Sequence, residues 1–505
     1  MSQHLDPMTS ETESSNLKKR DEQTFEVIAP PAHDQDQPRW NLAEHYPPNH
    51  PHNLSSWRKF GILVTLCFSG FLANYGASAH LTAFGPMAAY FDRPVGDIAN
   101  TIGYGLLGIA VGPVLWNPLS QTIGRRYTYL IGSLLYLPCI VWCAESKSYV
   151  SFAVARVFAG LCSAFSQTVP PATIADIYPR HVRGDKLSAF GVAVIIAPAL
   201  SPLIGSLVVN KHSWQNIYWI VLGLGGLQLL MFLLLVPETL WNEDRTDAGT
   251  GDDRDGVVVV RQGRVGPAWY PWRRPKDFAT LFTRPIAMSR FLAITLPSIY
   301  YGSLFGWSVG ITIIGPRLFE APPYDFKPIP TGCTYLAFGL GAVLGKWSGG
   351  LVGDVVVTRV TKRNGGIRKP EYRLWALLPI LPFMFVGLFI VGITFEKRLA
   401  WIAPLIGGAL FYFCLSASTG ILQTYVLESY ITRPMDTQAS FIFWKCIWGF
   451  AIPFFVWEWG LESTFTVEYA IQGVLATCIG LLLCGGLIWK GEALRRAQGM
   501  PIVER

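Results

Sequence analysis

The chain has 505 residues, of which 51% are apolar and only 15% charged, and its formal net charge is +7. A soluble protein of this length would divide into domains with charged surfaces, but here the apolar residues gather into repeated runs of about 20, enough for a helix to cross a ~30 Å hydrocarbon core. Composition therefore excludes a soluble protein and reads as an integral membrane one; the basic excess sits in loops between the runs, where membrane orientation accounts for it without nucleic acid.

Residues 1–56 are polar, contain proline and histidine, and lack the apolar core of a signal peptide. They read as a disordered cytoplasmic tail, because they cannot bury enough apolar surface to offset the entropy of ordering. The Asn-x-Ser at Asn53 would then not meet the glycosylation machinery. Six spans follow near 60–81, 98–118, 127–144, 149–168, 187–209 and 214–236. Six more are expected near 290–313, 331–351, 374–393, 401–421, 440–459 and 469–489. The fold class is thus all-α integral membrane, with twelve transmembrane helices in two pseudo-symmetric six-helix bundles, 57–237 and 286–489. Residues 238–285 form a cytoplasmic central loop, which holds a VVVV run too short to span and an interfacial WYPWRRP stretch; 490–505 form a cytoplasmic tail. Basic residues such as Arg125, Arg126, Arg183, Lys362, Arg363 and Arg373 concentrate in the loops on one side, which places both termini in the cytoplasm. The nine cysteines form no CxxC and no metal-ligand spacing with histidine, so free thiols are expected, with no metal and no cofactor.

The hairpin GPVLWNPLSQTIGRRYTYL at 112–130 joins two apolar runs through a turn carrying Gly124, Arg125 and Arg126. It resembles the motif G-x-x-x-D-R-x-G-R-R between helices two and three of the major facilitator superfamily. Asn117 stands in place of its leading glycine and Gln121 in place of its aspartate. The second half echoes the motif in GGLVGD, where Gly350 and Asp354 fill the glycine and aspartate places. ARVFAG puts Arg156 on the fourth-helix motif, and IADIYPRHVRG supplies Asp176 and Arg183. Pro237–Glu238–Thr239, PEYRL and YVLESY (with Glu428) are similar to the fungal branch, and the resemblance covers 57–496. It implies a drug:proton antiporter of twelve spans, although the helix-five antiporter signature keeps only Pro202 and Gly205.

The resemblance also implies roles. Gly124, Arg125, Arg126, Asp176, Arg183, Asp354 and Glu428 belong to a cytoplasmic gate. Spans one, four, seven and ten line a central cavity, to which Arg156, Asn74, Gln167, Tyr301, Trp307 and Lys445 are assigned. A charge inside a span costs at least about 2.5 kcal/mol, so Arg156 should face a partner or water. Lys445, among the aromatics of FIFWKCIW, suits either the cavity or the lipid interface, and Lys346 is read as snorkelling. His80 is read as exposed near the outer surface. The first span offers no carboxylate for proton coupling. The expected function is proton-coupled export of a small organic compound, drug-like or a secondary metabolite, by alternating access. Uptake of a nutrient or an organic cation such as a polyamine is the alternative, and a non-transporting sensor a third. The expected partners are a small-molecule substrate, protons and the lipid bilayer, with no nucleic acid; the protein would be a monomer in the plasma or vacuolar membrane. No nucleophile elbow or phosphate loop points to an enzyme.

Overall fold

Long apolar runs become helices because a backbone without water must satisfy its own hydrogen bonds. The computed structural model describes residues 50–243, 263–265, 275–366, 369–430 and 433–499. Its first-half helices are α1 (Ser56–Ser78), α2 (Phe84–Phe91), α3 (Val95–Thr122), α4 (Arg125–Glu145), α5 (Tyr149–Ser163), α6 (Phe165–Ile177), α7 (Arg180–Val209) and α8 (Gln215–Leu235). The second half comprises α9 (Pro275–Met288), α10 (Leu292–Glu320), α11 (Pro328–Arg363), α12 (Leu381–Glu396), α13 (Ile402–Ser429), α14 (Pro434–Ala451), α15 (Val456–Ser463) and α16 (Phe465–Gln498).

Among the described residues, nine helices are long and apolar enough to span, and two bent pairs raise this to eleven. One bent pair is the 3-10 turn Pro370–Ala376 with α12, and the other is α14, extended to Phe454, with α15. Helix α10, 29 residues long, stands at the place of the remaining expected span but is not among those that meet this criterion. Large apolar side chains such as Leu134, Leu234, Leu340 and Leu482 are exposed, as a surface solvated by lipid requires. The interior holds polar glue instead. Ser69 donates to Ser166 at 2.7 Å, and Gln228 donates to Ser69 at 3.2 Å.

The packing repeats after six spans. In the first half α1 packs on α7, α3 on α5 and α4 on α8; in the second, α10 packs on α14, α11 on α13 and α12 on α16. The halves meet where α7 lies on α11 and where α14 lies on α3, and the same six-span shift exchanges these two seams. Small residues set the closest approaches. A Cβ on Gly341, Gly345 or Gly349 of α11 would run into the backbone of α13 at Ala409, Phe413 or Ala417.

Several boundaries differ from the sequence reading. Order begins before residue 56, with a 3-10 turn at Pro51–Asn53, and Lys59 donates to the carbonyl of His52 at 2.8 Å. The expected C-terminal tail continues α16 to Gln498, and part of the expected central loop is α9. The rest of the tail to residue 49, the VVVV run, Arg273, Arg274 and Arg368 lie outside the described residues. All the helices belong to one unit, 51–242 with 265–505; of the other, 1–50 with 243–264, only His50, Glu243 and 263–264 are described.

Candidate functional site

Between the halves lies a cavity of about 160 Å³. Helices contribute stripes at helical spacing: Asn74, Ala77 and Ser78 from the end of α1, with Leu81 just beyond it; Tyr301, Phe305, Ser308 and Thr312 from α10; Tyr412, Leu415, Ser416 and Thr419 from α13. Helices α3, α7 and α11 add apolar and aromatic residues, and α14 adds Lys445. Most of the polar groups present are already engaged. Tyr412 Oη donates to the Ser308 carbonyl at 2.8 Å, Tyr335 Oη to that of Thr312 at 2.6 Å, and Thr419 Oγ1 to Tyr301 Oη at 2.8 Å. Phe338 and Tyr412 stack with centroids 5.2 Å apart. The Lys445 ammonium lies 4.5 Å from the Phe305 ring centroid, in cation–π geometry.

Of the six residues assigned to the cavity from the sequence, Asn74, Tyr301 and Lys445 line it; Arg156, Gln167 and Trp307 do not. Arg156 sits in a small side recess, donating to the Gly76 carbonyl at 2.8 Å and the Ala77 carbonyl at 2.5 Å. It satisfies carbonyls in the last turn of α1, which have no partner further along their own helix. Gln167 is buried in the wall of α6, and Trp307 is turned toward Trp459 of α15. The fourth span thus supplies no lining, and spans two, five, eight and eleven take part instead. Lys445 faces the cavity rather than the lipid interface. The expectation for His80 also changes: it is fully buried, bonded to Thr101 Oγ1 at 2.8 Å and Tyr218 Oη at 2.9 Å.

The residues assigned to the gate fall into two clusters on the face that carries the basic loops. In the first half, Arg125 Nε donates to Asp176 Oδ2 at 3.1 Å and Arg125 Nη1 to Ser120 Oγ at 3.0 Å. Gly124 has φ +100°, and a Cβ there would strike the Glu238 carboxylate. That carboxylate accepts from the backbone N–H of Arg125 at 2.8 Å and of Arg126 at 3.2 Å, capping the first turn of α4. Arg126 itself leaves the cluster and donates to the Leu233 carbonyl at 3.0 Å. Arg183 donates to the Ala175 carbonyl at 2.8 Å, at the end of α6.

In the second half, Arg373 Nη2 lies 3.2 Å from both Asp354 Oδ1 and Glu428 Oε1. Glu371, buried beside it, pairs with Arg495 at 2.6 Å, and Lys369 pairs with Glu492 at 2.6 Å. The Glu492 carboxylate holds the Lys369 ammonium above its usual range. Arg373, carried by the 3-10 turn, thus brings a base to Asp354 of the second-half motif. Sequence reasoning did not single out Glu238, Arg373 or Glu371 as site residues; the signal was the acid after proline in Pro237–Glu238 and Pro370–Glu371. The two halves touch at this face, where Asn117 Nδ2 donates to the Met435 carbonyl at 3.0 Å. On the opposite face Arg317 Nη2 donates to the Val95 carbonyl at 2.9 Å, and its guanidinium lies over Trp457.

The Major Facilitator Superfamily model matches residues 66–455, most of the chain. The chain belongs to the Major Facilitator Superfamily. It is a multi-pass membrane transporter, not an enzyme. The MFS-type transporter penM of Penicillium rubens is 24% identical over 412 residues, 80% of this chain and 79% of that one. The efflux pump radE of Floropilus chiversii is 25% identical over 430 residues, 82% and 78% of the respective chains. The xylose transporter XylE from E. coli, in a partially occluded inward-open conformation, superposes with a TM-score of 0.60 at 16% identity, over 86% of this chain and 98% of that one. That likeness concerns the fold alone.

Proposed function

We propose that this transporter exports a small organic compound by alternating access, the two six-helix halves rocking about the cavity between them, with a proton gradient as the driving force. The observation that carries the reading is the cavity itself: it is largely apolar and aromatic, lies at the seam of the halves, and is flanked by inter-half contacts toward both faces. A relative named as an efflux pump supports export as the direction. Small molecules of apolar character suit such a lining. In this reading the two charged clusters form the cytoplasmic gate, the termini are cytoplasmic, and the protein acts as a monomer in the plasma membrane.

Uptake of an organic cation such as a polyamine fits less well. Lys445 would repel it, and no aspartate or glutamate lines the cavity among the described residues. The test is proteoliposomes with an imposed pH gradient, screened against neutral, anionic and cationic aromatic compounds. Proton movement opposite to substrate is expected. Proton movement with substrate would replace export by coupled uptake, and flux indifferent to the gradient would leave a facilitator.

A further inference from the structure

Resting on the reading of the cavity as the transport site, we propose that the transported compound is a small organic anion. Its acidic group pairs with Lys445 and its apolar body lies along Phe305, Phe338 and Tyr412. An ammonium carries three donors and no acceptor, and a charge held inside a span is costly unless something neutralises it. Among the described residues Lys445 makes no hydrogen bond and no ion pair, and its ammonium lies over the face of Phe305. The acids on the lining helices lie elsewhere. Asp97 and Asp436 stand in the first turns of α3 and α14, Asp185 near the start of α7 and Glu320 at the end of α10, while Asp354 and Glu428 are engaged by Arg373. Lys346, one turn along α11 from the lining residue Ala342, adds a second positive charge near Lys445 rather than a neutralising one.

A second unmet group faces the same space. Ser416, 4% exposed, lines the cavity, and its Oγ has no hydrogen-bond partner. A carboxylate or similar headgroup would accept from both Lys445 and Ser416, whereas a neutral ligand would leave the ammonium unpaired and a cation would be repelled. An inorganic anion would satisfy the charge but has no use for the stacked rings. The rest of the lining is mostly carbon, its other polar groups being bonded within the protein, which calls for an apolar body on the anion.

The test uses three probes on one aromatic body, 2-naphthoate, 2-naphthamide and 2-naphthylmethylammonium, with chloride and sulfate as inorganic controls. Thermal stabilisation of the purified full-length protein in detergent reads out binding. Naphthoate should reach half-maximal stabilisation at a concentration about tenfold or more below that of the amide. That preference should vanish in Lys445→Met and Lys445→Gln, persist in Lys445→Arg, and shrink in Ser416→Ala. Equal or tighter binding of the amide or the ammonium compound would overturn the proposal. So would a preference that survives Lys445→Met, an equal effect of chloride or sulfate, or binding by none of the three. The comparison among probes on the wild type stands even where a variant fails to fold. Failure of the transport reading shows separately: naphthoate would bind through Lys445 yet show no net flux in proteoliposomes. A neutral or cationic compound driven by the gradient would instead keep the transport reading and sink this one.

Discussion

At the scale of single residues, the sequence marks Arg156 because an arginine inside an apolar run needs an explanation, and the explanation is a backbone one. Its guanidinium holds the Gly76 and Ala77 carbonyls at the end of α1, about eighty residues away in sequence. The charge was legible; its partners were not, because carbonyls carry no sequence signature. Arg156→Met should leave those carbonyls buried without donors and lower stability by about 1–3 kcal/mol. Thermal unfolding of the purified variant would register that loss, while naphthoate binding through Lys445 should persist. Loss of ligand binding with stability unchanged would return Arg156 to the cavity. Lys445 shows the opposite limit. Its aromatic neighbours in sequence suit either lipid or cavity, and only the packing of α10 against α14 places it over Phe305.

At the scale of elements, the spans that the structure shows were legible from the lengths of the apolar runs, and their bends were not. The break between Pro370–Ala376 and α12 is 43° and that between α14 and α15 is 50°; Pro379 and Pro453 lie at them, but Pro113, Pro138 and Pro202 lie inside unbroken helices, so proline alone does not single the bends out. Which glycines matter was equally hidden. Gly345 and Gly350 sit five residues apart on α11, yet a Cβ on Gly345 would collide with the Phe413 carbonyl, whereas one on Gly350 meets nothing within 4 Å. Gly345→Leu should therefore push α11 off α13 and abolish monodisperse protein in detergent, since the α13 backbone cannot yield as a side chain would. Gly350→Leu should leave the size-exclusion profile as in the wild type. Equal behaviour of the two variants would mean that small residues on α11 do not set the helix spacing.

At the scale of the whole molecule, the six-span repeat explains why two seams suffice for a rocking motion. Helix α7 on α11 and α14 on α3 are the same contact under the internal symmetry, so opening one face loosens corresponding ends of both. The motif echo in sequence anticipated the duplication, but it could not show that α3 touches the other half near both its ends, through Asn117 on Met435 of α14 and through Val95 on Arg317 of α10. If transport proceeds by rocking, the Asn117–Met435 contact must part once in each cycle. Asn117→Cys with Met435→Cys, in a chain whose nine native cysteines are replaced, places two thiols across that seam. Oxidation or a short bis-maleimide should stop flux in proteoliposomes, and for the disulfide a reductant should restore it. Each single-cysteine chain under the same treatment should keep its flux, which separates a tether from simple thiol damage. Full flux through a demonstrably cross-linked protein would mean that the seam need not open, and substrate would then have to pass within one half rather than between the two.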